Sequence, residues 1–274
     1  MVERPSRFRS VLNDFGPLAV VFALLFAVSF LPPDTSRAEI DTRGRLSVCM
    51  PTSYPPLVTG DADVPGFEVE LLQAIADRLG WRLNVVSNSL MGRDYNPRSW
   101  RINRAQCQLL AGGVALSAQT RSFLDTSAPH LRTGWAVVSP LGDTAGIADR
   151  TVGVYVGLTG LDRIALSQYL RSQQVSTAIL RDPAAMARAL EDGEVDVVVT
   201  EALLATQTFD PDAYEIALLP APLEQIPLGY GFWKGDMTLR RAVESTLHDL
   251  TDEGVVASLA ERYEIDPDLL TLGH

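Results

Sequence analysis

The sequence holds only two cysteines, Cys49 and Cys107, three histidines and a single lysine, Lys234, in 274 residues. Two cysteines are too few for a disulfide-built scaffold or a four-cysteine zinc site. His130, His248 and His274 show no metal-ligand spacing, so neither a metal nor a cofactor is expected. Basic residues are scarce: 23 Lys and Arg face 34 Asp and Glu, giving a net charge of −11. That balance argues against nucleic acid as a partner, because phosphate binding needs clustered cations. Long apolar runs are scarce too. Only Phe15–Leu31 continues for 17 residues without a charge, which excludes a polytopic membrane protein. What is present, 46% hydrophobic and 21% charged residues, is ordinary for a globular chain with a real core.

The one apolar run has the layout of an export signal. Arg4, Arg7 and Arg9 precede it, Pro32 and Pro33 break it, and Ser36-Arg37-Ala38 places small residues where a signal peptidase reads. Residues 1–38 are therefore expected to be a cleavable signal peptide, cut between Ala38 and Glu39, and the protein periplasmic. The other reading is an uncleaved anchor, for which 17 residues is short and Pro17 is an interruption. No Cys follows the run to carry a lipid. An oxidising compartment lets Cys49 and Cys107 form a disulfide, while two buried thiols are the alternative.

Beyond the signal, strand and helix patterns alternate. Leu46–Met50 reads as a strand, and Phe67, Leu71, Ile75 and Leu79 recur at the spacing of one helix face, stopped by Gly80. Trp81, Leu83 and Val85 alternate with polar residues as a second strand. The stretch 87–106 is a polar connection with a short helix near Trp100, and Leu109–Val114 resumes as a strand. A second β-α-β set follows: Val152–Val156, helices at Leu161–Leu170 and Pro183–Leu190, and the β-branched run Val195–Val199. Two helices, Leu239–Leu250 and Val255–Tyr263, close the chain. Two such halves imply an α/β fold of two lobes. Trp135–Ser139 and Leu228–Trp233 are the candidate crossing segments. The first lobe is then 39–136 with 230–274, and the second is 137–229. Ligands of open parallel sheets sit off the carboxyl ends of the strands, so a hinged cleft between the lobes is the place for a solute.

Leu46-Ser47-Val48, Tyr54-Pro55-Pro56, Gly66-Phe67-Glu68-Val69-Glu70-Leu71 and Ala74 to Gly80 follow in an order that resembles the bacterial extracellular solute-binding proteins of family 3. These are the periplasmic binding proteins for polar amino acids. Gly112-Gly113, Ser117 to Ser127, Val152-Gly153-Val154, Gly193 to Asp196, Tyr230-Gly231-Phe232 and Leu239 through Tyr263 extend the resemblance over nearly all of the chain beyond residue 38. It implies a type II periplasmic-binding fold, with two parallel-core sheets joined by two hinge segments.

The resemblance also implies site residues. Gly113 and Ser117 match the strand end that meets the ligand carboxylate, while Ala115 replaces an expected hydroxyl. Thr120 holds the position of the family's arginine and Arg121 follows one residue late, which rotates a helical side chain by about 100°. Arg121 either grips a carboxylate in a fork or pairs on the surface with Asp125. Thr159 resembles the hydroxyl of the second lobe's Gly-Ser-Thr turn, or is plain turn chemistry. Glu201 resembles the acid that receives the ligand's ammonium group, or is a helix-start acid. Tyr54 resembles the aromatic wall of the ligand side chain, or packs on its own lobe, and Trp135 and Trp233 read as hinge packing.

The function implied is a monomeric, non-enzymatic binding protein. It captures a small zwitterion, such as an amino acid, and delivers it to the membrane subunits of an ABC importer. Two alternatives use the same fold: an accessory protein of the quinoprotein-dehydrogenase-associated type serving a protein partner, and a cyclohexadienyl-dehydratase-like enzyme. For the enzyme no nucleophile–base pair is present.

Overall fold

The computed structural model describes residues 33–91, 96–143, 145–156 and 161–271, with 17–18, 20–24 and 26. The chain divides into Met1–Thr35 and Ser36–His274. In the first unit the described residues from 17 to 26 are helical and exposed; the other residues of the expected signal up to 32 lie outside the described residues. Among the described residues no helix is long and apolar enough to cross a membrane. The second unit opens with α1 (Ser36–Arg43), which packs on the long helix α7 (Met237–Asp252). Leu239 N–H donates to Ser36 Oγ at 3.3 Å, and Ile40 is buried. The bond between Ala38 and Glu39, where cleavage is expected, lies inside α1.

Two mixed sheets carry the unit. The first has six strands: β1 (Arg45–Pro51), β2 (Arg82–Asn88), β3 (Leu109–Ala115), β4 (Leu124–Thr126), β5 (Leu131–Thr133) and β11 (Ile226–Trp233). β1 lies parallel between β2 and β3, and β11 pairs antiparallel with β3, β4 and β5. The second has five: β6 (Trp135–Pro140), β7 (Thr151–Val154), β8 (Ser176–Ile179), β9 (Val197–Glu201) and β10 (Tyr214–Leu218). Here β7 is parallel to β8 and β9, with β6 and β10 added antiparallel. The parallel cores match the sequence pattern. β1, β3 and β9 are buried along almost their whole length because helices cover them, so they read as continuous apolar runs.

The helices are α2 (Phe67–Arg78), α3 (Ala118–Phe123), α4 (Arg163–Ser172), α5 (Pro183–Glu191), α6 (Ala202–Thr208), α7, and α8 (Val255–Arg262). A short 3-10 turn at Pro97–Trp100 sits in the polar connection, where the sequence placed one.

The chain passes from the first sheet to the second at Gly134 and returns through residues 219–225. The segment 135–139, expected as the first crossing, lies inside the second sheet as part of β6, and 228–233, expected as the second, lies wholly inside the first sheet as part of β11. The two passages run side by side. Leu219 N–H donates to Trp135 O at 2.7 Å, and a Cβ on Gly134 would lie 3.6 Å from Gln225 Cα.

Cys49 on β1 and Cys107 just before β3 form a disulfide, with their Cα atoms 5.6 Å apart. Both are fully buried, among Met91, Trp100, Leu110, Val114 and Leu124. Parallel pairing of β1 with β3 brings them within reach, and of the two readings open in the sequence the disulfide is the one observed.

Candidate functional site

Glu201 is the last residue of β9 and caps α6, with its side chain fully buried. Its Oε2 accepts the Leu204 N–H at 2.8 Å, the bond that a helix start needs. Its Oε1 accepts the Thr133 hydroxyl, and the Tyr54 hydroxyl donates to the same atom at 3.5 Å. Thr133 ends β5 of the first sheet and Tyr54 lies in the turn that follows β1 of that sheet, whereas Glu201 ends a strand of the second. One carboxylate therefore ties the two sheets together beside the Gly134 crossing. Burial pushes its pKa up; hydrogen bonds from Thr133, the Leu204 and Leu203 N–H groups and Tyr54 pull the other way without cancelling it. A buried carboxylate that can only accept calls for a cationic donor, since a charge-assisted hydrogen bond is about twice as strong as a neutral one.

Tyr54 meets Gly113 as well as Glu201. Opposite β11, the strand β3 places three residues, Ala111 to Gly113, between the pairs Leu110–Gly231 and Val114–Gly229, where its partner places one, Tyr230. The surplus is absorbed at Gly112 and Gly113, both at positive φ (+85° and +81°). A Cβ at Gly113 would lie 2.4 Å from Tyr54 Cε1, and one at Gly112 would lie 2.3 Å from Pro51 Cδ. Glycine is required twice over here, by the backbone and by the ring above it. Gly113→Ala is expected to cost about 3 kcal/mol through left-handed strain and overpacking. Urea denaturation measures this, and an unchanged midpoint would mean that the ring does not lie on the glycine.

Ser117 caps α3: its Oγ accepts the Thr120 N–H at 3.1 Å and lies 3.1 Å from the Thr120 hydroxyl. Thr120 is buried, and Arg121, one residue on, is exposed. The Arg121 guanidinium has no hydrogen bond or ion pair among the described residues. Asp125, its candidate surface partner, instead accepts from Lys234 Nζ at 2.9 Å and from Gly235 N–H at 3.2 Å. Lys234 Nζ also donates to the Arg121 carbonyl at 2.8 Å. Ala115 is buried in β3 without a hydroxyl to offer. Thr159 lies outside the described residues. Tyr54, Gly113 and Glu201 are thus brought together, Ser117 and Thr120 form a capped turn off the end of the same β3, and Arg121 stands on an exposed helix face. Trp135 packs into the second sheet's core, and Trp233 donates its Nε1–H to Cys107 O at 2.7 Å. Among the described residues no cluster of His, Cys, Asp and Glu could hold a metal ion.

Three residues escape sequence reasoning: Thr133, Glu68 and His130. Glu68 had a readable signal. It stands three, four and seven residues before Leu71, Leu72 and Ile75, so it is an acid on the buried stripe of α2. Thr133 and His130 are single polar residues in short segments with no periodicity to mark them.

Against known proteins, the family model described as bacterial extracellular solute-binding proteins, family 3, matches residues 46–265. The L-cystine-binding protein TcyJ of Escherichia coli (strain K12) is 23% identical over 254 residues, covering 90% of this chain and 93% of that one. Among solved structures, the L-cystine solute receptor of Neisseria gonorrhoeae in its unliganded open conformation matches with a TM-score of 0.66 at 16% identity. It covers 83% of this chain and 95% of the receptor. A polar amino acid ABC uptake transporter substrate-binding protein from Streptococcus thermophilus matches with a TM-score of 0.70 at 16% identity, covering 85% of this chain and 91% of that one.

Proposed function

Because the chain belongs to the bacterial extracellular solute-binding proteins of family 3, we propose that it captures a small amino acid or related zwitterion between halves built on its two sheets. In this reading the chain is exported to the periplasm by its N-terminal signal, acts as a monomer and hands the solute to an ABC importer. It catalyses no reaction. The observation that carries the proposal is Glu201: a carboxylate with no exposed surface, placed where the two sheets meet, within reach of the Tyr54 hydroxyl.

The mechanism follows from how that carboxylate is satisfied. A carboxylate offers about four acceptor positions, and here hydroxyls from the first sheet and N–H groups from α6 occupy them. The Tyr54 bond, at 3.5 Å, is longer than those from Leu204 N–H and Thr133. Parting the halves removes Tyr54 and Thr133 from Glu201 and exposes the charge. An ammonium group then takes their place, with Tyr54 as the wall for the solute's side chain. Ser117, Thr120 and Thr159 supply donors to the solute carboxylate. Arg121 reaches that carboxylate only if its turn shifts as the halves close. Cystine and cationic amino acids are the first solutes to test, since relatives of this family carry those names.

A thermal-shift screen against amino acids tests the proposal directly. A solute present at a hundred times its Kd adds about 2.7 kcal/mol, which raises the melting temperature by about 5–10 °C in a chain of this size. Absence of any shift from amino acids and small organic acids would remove the solute and leave the accessory, partner-serving role. A carboxylate already satisfied by its own chain would suit that role.

A further inference from the structure

Glu68 is a buried acid that capture of a solute leaves without a task. It is completely inaccessible, on the inward face of α2. Charge in such a place persists only with hydrogen-bond partners on every side. Those partners are specific. Glu68 Oε2 accepts the Gly112 N–H at 2.5 Å, and the Gly113 N–H lies 3.4 Å from both carboxylate oxygens. On the other flank His130 Nε2 lies 3.1 Å from Oε1, within hydrogen-bond distance. The His130 ring lies 4.6 Å from that of Tyr230 and 6.4 Å from that of Phe67, which fixes its plane. Tyr230 feels the same acid: burial first, then the charge of Glu68, pushes its phenol well above the ordinary range.

The amides that Glu68 receives are those of the two surplus residues in β3. With the strand bulged there, these N–H groups have left the ladder to β11 and are orphans unless something accepts them. Glu68 does so, and thereby sets the backbone on which the Tyr54 ring rests. Contacts run without a break from His130 through Glu68 and Gly112–Gly113 to Tyr54 and Glu201.

We propose that Glu68, steadied by His130, is a positioning residue for solute binding. It holds the Gly112–Gly113 bulge, and through it Tyr54, at the height from which the phenol closes over Glu201. This rests on the cleft at Glu201 being the solute site, and the test separates the two. Glu68→Gln replaces an acceptor-only group by one that turns an N–H₂ toward one of its donors. Glu70→Gln is the control: on the same helix, Glu70 serves Arg262 at 2.6 Å and Tyr263 at 2.8 Å, away from the bulge.

Two quantities are read: amide hydrogen exchange of peptides covering residues 109–116, and calorimetric affinity for L-cystine and L-arginine. Glu68→Gln is expected to speed exchange in 109–116 about ten-fold and to weaken binding about ten-fold, with Glu70→Gln leaving both unchanged. If Glu68→Gln does not fold, His130→Gln keeps the carboxylate and a donor beside it, and about a three-fold change in both readouts is expected from the looser geometry. Unchanged exchange overturns the role of Glu68. Faster exchange with unaltered affinity overturns it too, by reducing the acid to a structural anchor. Failure of the wild type to bind either probe, with exchange still accelerated, instead condemns the assignment of the cleft and takes the binding role of Glu68 with it.

Discussion

Replacing Cys49 and Cys107 together by serine is expected to lower the melting temperature by about 10 °C. The bond closes a loop with a sequence separation of 58 residues, for which chain entropy in the unfolded state gives about 4 kcal/mol. In a chain of this size that corresponds to about 8–16 °C. Two features of the fold point to the full effect. The loop contains α2 and β2 but also the connection 89–108, where the buried residues among those described are Met91, Pro97, Trp100 and Cys107, so its ordering rests on few side chains besides the disulfide. Both sulfurs sit in a dry cluster with Met91, Trp100 and Leu124, where two serine hydroxyls find no partner. Calorimetry of the double variant beside the oxidised protein decides the matter. A drop of less than about 2 °C would mean that the loop is held by its packing alone.

The same bond shows which parts of the fold were legible. A run such as Val195–Val199 or Leu109–Val114 reads as a buried parallel strand because burial on both faces abolishes alternation, and two such runs flanking a helix of period four leave few topologies. Parallel neighbours then bring Cys49 and Cys107 together. The return crossing was not legible. β11 is apolar and extended whether it leaves the first sheet or lies within it, and only its pairing with β3, β4 and β5 distinguishes the two.

In the site, Tyr54, Gly113 and Glu201 could be picked out by motif because each lies near the end of a recognisable strand. Their mutual contact could not, since 147 residues separate Tyr54 from Glu201. Glu68 and His130 are 62 residues apart, and the double bulge that joins the acid to Gly113 leaves no mark beyond a pair of glycines. Arg121 shows the limit from the other side. A displacement by one position in sequence is small on paper, yet on a short helix it carries the guanidinium to the exposed face and gives Asp125 to Lys234.

Glu201→Gln should separate stability from binding. The wild-type carboxyl has a native pKa raised above about 4.5 by burial. Between its unfolded and native pKa values the folded protein holds more protons than the unfolded one, so stability falls as the pH rises through that interval. The contribution is complete below about 4.5 and gone above the raised native value. Glutamine does not titrate. The difference in unfolding free energy, wild type minus variant, should therefore become steadily less favourable from acidic toward neutral pH. The variant's solute affinity should fall. Losing a hydrogen bond to a charged partner costs about 1.5–3 kcal/mol, a weakening of more than ten-fold for any ligand with an ammonium group. An ammonium group bound to Glu201 also favours the ionised carboxyl, so saturating solute should flatten the wild type's pH slope while leaving the variant's profile unchanged. Denaturation curves at several pH values, with and without solute, read all of this from one protein pair. A variant that binds as tightly as wild type would place the ammonium elsewhere, and a parallel pair of pH profiles would mean that Glu201 does not carry its charge in the buried position seen here.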